Sequence, residues 1–246
     1  MKLQRGVMQD SKDRDENESG KSAKSTDPVK STTRRLSPEV REKQIVQKAI
    51  EHFATCGFSG STRELARQLD ITQPLLYRYF PSKEALIDRV YDEVYQWDSS
   101  WEAMIKDRSE PLQSRLVHFY TSYARVILRR EWIRIFVFAG LTREGINDRY
   151  LAKLRERVFI PVIAEIRQTH GLAPSSGDTI NEKELELIWS LHASIFYIGV
   201  RKWIYDLPVT EDIDALIEQM VDAFLNGSPH VLQQVDNDLG KKPRLN

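Results

Sequence analysis

The sequence predicts an all-α protein, and three observations carry that expectation. From Ser37 onward apolar residues recur at 3- and 4-residue intervals, Ser, Thr and Pro stand where helix starts need them, and no segment reads as a β-hairpin. Four segments are expected. Residues 1–36 form a disordered polar extension, 37–84 a three-helix domain with a helix-turn-helix, 85–227 a larger helical domain, and 228–246 a flexible tail.

The elements follow in order. Ser37 caps the first helix, with Pro38 at its first position and Glu39 in its first turn. Val46, Ala49, Ile50 and Phe53 form its inward stripe, and Gly57 ends it. Ser61 and Glu64 have capping-box spacing at the start of a short second helix, whose inward residues are Leu65 and Leu69. A tight turn at Asp70-Ile71 leads to Thr72, the cap of a third helix that Pro81 stops after Phe80. Ser82 caps the fourth. Its stripe of Leu86, Val90, Val94, Trp97 and Trp101 predicts one rod running from about 83 to 101. Further helices are expected over 110–130, 132–141, 147–169, 180–206 and 211–226, with a kink at Pro161.

Composition sets the bounds. The 246 residues are 41% apolar and 29% charged, ordinary values for a soluble chain with a core. Formal net charge is zero, so attraction to nucleic acid has to come from a local cluster. The single cysteine, Cys56, excludes an internal disulfide framework and suits a reducing cytoplasm; packing at a helix end is its expected role. No apolar run approaches the roughly 20 residues that span a bilayer, and the amino terminus has no apolar signal core. A soluble cytoplasmic protein with no membrane partner is expected. The basic end of the extension, with Lys30, Arg34 and Arg35, is either a solvated tail or an arm along DNA phosphates.

The stretch "DITQPLLYRYFPSKEAL", residues 70–86, carries the chemistry. Two short helices joined by a sharp turn have helix-turn-helix geometry, in which the second helix can enter the major groove. Leu76 and Phe80, four apart, face inward, which leaves Gln73, Pro74, Leu75, Tyr77, Arg78 and Tyr79 outside. Gln pairs with adenine, Arg with guanine, apolar groups meet the thymine methyl, and tyrosine hydroxyls reach phosphates. Lys83 opposes the dipole of the helix it begins, a conflict that a phosphate at that helix start resolves.

Together "IVQKAIEHFATCGFSGSTRELARQLDITQPLLYRYFPSKEAL" resembles the amino-terminal DNA-binding domain of the TetR family of bacterial transcriptional regulators, over about residues 41–90. The resemblance implies an all-helical homodimer with a variable ligand-binding domain behind the DNA reader. It implies that Arg63, Gln73, Pro74 and Leu75 approach base edges, that Thr62, Tyr77, Tyr79 and Lys83 approach phosphates, and that Arg78 does either; Thr72 joins this DNA-facing set. A palindromic double-stranded operator and a small organic effector are the implied partners. One position departs from the family: Asp70 stands where Gly is common, and Asp takes the left-handed conformation at modest cost.

In the larger domain, "ELELIWSLHASIFYIGVRKWIY", residues 184–205, is apolar on nearly every side, so it should be buried on more than one face. Small residues Ala193, Ser194 and Gly199 permit close helix approach, and the next helix carries its own apolar stripe. Ile195, Ile198, Gly199, Ile213, Leu216, Ile217, Met220 and Phe224 are therefore expected at a two-fold, four-helix dimer interface, with monomer core as the alternative. A mostly apolar effector cavity is expected among Trp97, Trp101, Phe119, Tyr123, Phe136, Trp189 and Phe196. His118, Arg134 and His192, polar groups within apolar runs, are its expected fixtures or else satisfied core groups.

The leading reading is a ligand-responsive repressor, and the alternative is a DNA-binding protein whose larger domain binds a protein partner and no ligand. The sequence has no Gly-rich phosphate loop, metal-ligand spacing or nucleophile motif, so no catalytic residue, metal or cofactor is expected.

Overall fold

The computed structural model describes residues 37–142, 145–174 and 181–240; the polar extension with Lys30, Arg34 and Arg35 lies outside the described residues. The chain runs α1 (Pro38–Cys56), α2 (Thr62–Gln68), α3 (Gln73–Tyr79), α4 (Lys83–Val94), α5 (Ser100–Lys106), α6 (Leu112–Ile127), α7 (Arg130–Thr142), α8 (Ile146–Leu154), a π-helical turn (Arg155–Phe159), α9 (Ile160–Thr169), α10 (Glu182–Trp203) and α11 (Ile213–Gly240). No strand occurs among the described residues.

Local signals set the starts of the first four helices. Ser37, Ser61, Thr72 and Ser82 each accept a backbone N–H from Val40, Arg63, Leu75 and Ala85 respectively, satisfying one orphan donor apiece. The capping box does not form: the Glu64 carboxylate turns away from the cap to Arg67 and Gln68, where charged and bidentate hydrogen bonding outweighs one backbone N–H.

The rod expected over 83–101 is two helices. It stops at Val94, and Asp98 Oδ1 accepts the Ser100 N–H at 2.8 Å, a local bond that competes with helix continuation. Leu86, Val90 and Val94 stay on one buried stripe, whereas Trp101 is buried on α5. Pro161 produces no simple kink; the chain takes a π-helical turn just before it, which re-registers the backbone around the missing N–H.

The tail is also ordered well beyond 228. α11 continues through Pro229 to Gly240. The Leu225 carbonyl that the proline leaves without a donor receives the Ser228 hydroxyl at 3.5 Å, Leu232 is fully buried, and Asp236 pairs with buried Arg167 at 2.7 Å. Docking against α9 holds a segment whose composition reads as loose.

α1 packs against both α4 and α7 and so joins the small amino-terminal unit to the larger domain. Gly57 ends α1 at φ +69°, and a Cβ there would lie 3.1 Å from the Phe138 ring, so the turn needs glycine on both counts.

Candidate nucleic-acid interface

The turn between α2 and α3 is a Schellman closure. Asp70 N–H donates to Arg67 C=O at 3.1 Å and Ile71 N–H to Ala66 C=O at 3.0 Å, satisfying carbonyls at the end of α2. Closure requires a left-handed residue, and Asp70 supplies it at φ +52°. Leu76 and Phe80 point inward at 1% and 6% exposure, as their spacing predicts. Arg63, Thr72, Pro74, Tyr77 and Arg78 are exposed, while Thr62, Gln73, Leu75, Tyr79 and Lys83 are half-buried.

Thr62 Oγ1 is a hub that links the two helices. It meets Tyr77 Oη at 3.1 Å and accepts from Gln73 Nε2 at 3.1 Å. The start of α2 thereby fixes two side chains of α3 and holds the recognition helix in one orientation. Gln73 is anchored through its amide nitrogen.

Cations on this unit divide into two kinds. Arg67 is committed to Glu64 at 2.6 Å, and hydrogen bonds from Arg67 and Gln68 hold the Glu64 carboxyl down at about 2. Among the described residues neither Arg63 nor Arg78 has an ion-pair partner. Two free guanidiniums, an anchored Gln, an exposed proline and a tyrosine hydroxyl on one outward face suit base edges and phosphates.

Comparison with known proteins matches this geometry. The family described as "Bacterial regulatory proteins, tetR family" matches residues 45–90, the segment from mid-α1 through the first two-thirds of α4. Residues 45–90 are thus a helix-turn-helix domain of the tetR-family type. The HTH-type transcriptional regulator LuxR of Vibrio harveyi is 21% identical over 166 residues, 66% of this chain and 78% of that protein. Among solved structures, a TetR-like transcriptional regulator from Rhodococcus sp. RHA1 superposes with a TM-score of 0.60 at 17% identity, over 78% of this chain and all (100%) of that one. A tetR-family regulator from Streptomyces coelicolor gives 0.51 at 17% identity, over 85% and 93%. These two share the fold across both domains.

Behind the reader, the larger domain holds a continuous aromatic core. Trp101, Phe119 and Tyr123 are fully buried, and Tyr123 lies 5.0 Å from Trp101 and 5.6 Å from the His192 ring. Trp189 stands 5.7 Å from His192, while Phe136 and Phe196 meet at 5.6 Å. Trp97 joins through Trp101 at 5.3 Å. Eight of the ten sequence candidates thus lie in one connected cluster.

Two do not. His118 is exposed on α6 and sits 3.4 Å from Glu110, because its place on the helix faces away from α10 and α7. Arg134 instead clamps helix ends: it donates to Ala54 C=O, to Thr55 C=O at 3.4 Å and to Trp203 C=O at 3.1 Å. A cation is favourable against the negative ends of α1 and α10 together. Sequence reasoning left out Tyr95, Tyr120, Tyr150 and Phe159, which with Trp132 complete the cluster; Tyr150 lies in a short polar-looking helix that gives little periodic signal. It also missed Arg149, which pairs with Asp88 at 3.0 Å and lies 4.1 Å over the Tyr91 ring, so that α8 grips α4.

The expected dimer residues are mostly the protomer's own core. Ile195, Ile198, Ile217 and Phe224 are buried within one chain, and a Cβ on Gly199 would lie 2.5 Å from Ile133 Cδ1. The close approach that Gly199 permits is between α10 and α7 of one protomer. Ile213, Leu216 and Met220 are half-buried at the margin. Exposed instead are Ser190, Ala193, Ser194 and Tyr197 on α10 and Gln219, Ala223 and Gly227 on α11.

Proposed function

We propose that the protein is a repressor that binds a palindromic operator as a homodimer in the cytoplasm and is released by a small, largely apolar effector. The observation that carries the operator-reading part is the outward face of α3, locked through Thr62 and flanked by unpaired Arg63 and Arg78. Gln73, Pro74, Leu75 and Arg63 read base edges; Thr62, Thr72, Tyr77, Tyr79 and Lys83 position the helix on phosphates, and Arg78 reaches either.

Dimerisation uses the small-residue faces of α10 and α11. Ser190 and Ser194 return their hydroxyls to carbonyls of their own helix, at 2.6 and 2.7 Å, so both can be covered without leaving a donor unpaired. Two recognition helices related by a two-fold must match half-sites about 34–36 Å apart. The effector changes that separation by moving the core against two grips on the reader, Arg149 on α4 and Arg134 on the end of α1. Close ring-to-ring packing in the core supports the second reading, a larger domain that responds to a protein partner.

Selection of bound DNA from a random pool tests the proposal. A palindromic site bound by a dimer is expected; a single asymmetric half-site, or no enrichment, overturns it. Effector release carries a further expectation: operator DNA and effector lower each other's affinity by one factor, and equal effector affinity with and without DNA excludes it.

A further inference from the structure

Three polar atoms stand unpartnered inside the aromatic core. Tyr120 Oη on α6, Trp132 Nε1 on α7 and His192 Nδ1 on α10 are buried with no hydrogen-bond partner, on residues only 0%, 2% and 5% exposed. Buried polar groups in native proteins are almost always paired, and each exception calls for an explanation such as a bound molecule. All three rings pack around one pair of tyrosines. There Tyr150 donates its hydroxyl to Tyr123 Oη at 2.8 Å. From that pair the Trp132 ring lies 5.2 Å from Tyr150, while the His192 and Tyr120 rings lie 5.6 and 6.5 Å from Tyr123.

The surroundings define what could meet them. Around His192 stand the rings of Tyr123, Phe159 and Trp189; around Trp132 stand Tyr95, Phe136, Tyr150 and Phe196. These ring neighbours offer apolar faces and few polar atoms, which suits a neutral, largely apolar ligand. Indole N–H only donates, a phenol donates and accepts, and a neutral imidazole nitrogen does one or the other according to tautomer. A hydroxyl group answers all three. One wall is also irregular: Phe159, 4.7 Å from Trp189, is carried by the π-helical turn, a form that often marks functional sites.

We propose that this core is the effector site: its closely packed rings part to admit a neutral, planar, hydroxylated aromatic molecule, which Trp132 Nε1, Tyr120 Oη and His192 Nδ1 then hold. The proposal rests on the effector reading above and adds the ligand's chemistry to it.

The indole N–H signals of the full-length protein report the outcome. Trp97, Trp101 and Trp203 already donate to Glu102, Ser122 and the Leu128 carbonyl, so their resonances are internal references for bonded indoles. Titration with phenol and 2-naphthol should move the Trp132 resonance downfield toward those three and weaken operator binding. Toluene, of similar size without a hydroxyl, and benzoate, which is charged, should do neither. Trp132→Phe should lower phenol affinity about tenfold, the value of one hydrogen bond. Tyr120→Phe, which removes only a hydroxyl, serves if that variant fails to fold. A Trp132 resonance that neither phenol nor 2-naphthol moves overturns the proposal, including the case where a permanent water already bonds it. If some other compound releases the operator while Trp132 stays still, this site is wrong and the effector reading stands. If the phenols move Trp132 yet leave operator affinity unchanged, the site stands and the effector reading fails.

Discussion

The α2–α3 reader and the aromatic core are both helical, and they handle polar groups in opposite ways. In the reader most polar side chains have a partner a few residues away or face outward: Ser61 and Thr72 cap their own helices, Asp70 closes its own turn, Glu64 takes Arg67, and Thr62 reaches across the turn to Gln73 and Tyr77. In the core, rings from α6, α7, α8, α10 and the π-helical turn surround Tyr120, Trp132 and His192, each of which has a buried polar atom without a hydrogen-bond partner. Local satisfaction makes a rigid, reproducible surface for a fixed partner such as DNA. An unsatisfied core is costly as it stands, and on the proposal above a ligand that supplies the missing bonds offsets that cost.

The sharpest way to break the comparison is to leave a charge unpaired in the larger domain. Arg115 is 5% exposed and pairs with Glu165 at 2.9 Å, its other bond being to Ile105 C=O. Glu165→Ala strips that guanidinium of its carboxylate and should cost about 3–5 kcal/mol in urea unfolding. A loss under about 1 kcal/mol would mean that the site admits water.

His192 gives the next largest effect. Burial among rings pushes its pKa down to about 3, against about 6.5 in an unfolded chain. The folded form stays neutral while the unfolded form gains a proton, so stability is complete above pH 6.5 and falls as pH drops toward 3. Between pH 6.5 and 5 the loss should be about 2 kcal/mol from this group, and His192→Phe should flatten that part of a Tm-versus-pH curve. An unchanged slope in the variant would show that the ring is solvated.

Substitutions in the reader should leave stability nearly untouched. Gln73→Ala or Arg63→Ala should cost about 1–3 kcal/mol of operator binding, concentrated at one base pair, while Lys83→Ala weakens all sequences alike and flattens the salt dependence. Competition binding against single-base operator variants distinguishes the two patterns. The smallest effect belongs to the turn: Asp70→Gly relieves the left-handed φ of +52° and should stabilise the reader by about 0.5–1 kcal/mol, seen as a small rise in Tm. A fall would show that the aspartate side chain supports the turn.

Much of the reader was legible because its determinants are short-range. Ser37, Thr72, Pro81 and Ser82 act on residues within a few positions of themselves, and the spacing of Leu76 and Phe80 fixes which face of α3 turns in. Fewer features of the larger domain were legible. An apolar stripe such as Ile195, Ile198, Ile217 and Phe224 says that a face is buried, and nothing in its period says whether the cover is α7 of the same chain or a second chain. The break between α4 and α5 is accompanied by an Asp98–Ser100 bond that periodicity does not show, and the chain past Pro229 is held by Arg167, 69 residues from Asp236.

The sequence alone determined an all-helical chain, the helix starts of the reader and the side chains it turns outward, because caps, turns and periodicity act along the backbone. Only the tertiary structure decided which rings meet around Tyr123 and Tyr150, where Arg134 and Arg149 take hold of the reader, and which small residues remain exposed on α10 and α11. Those outcomes depend on which distant helix covers each face, and burial is a property of the packed assembly of helices.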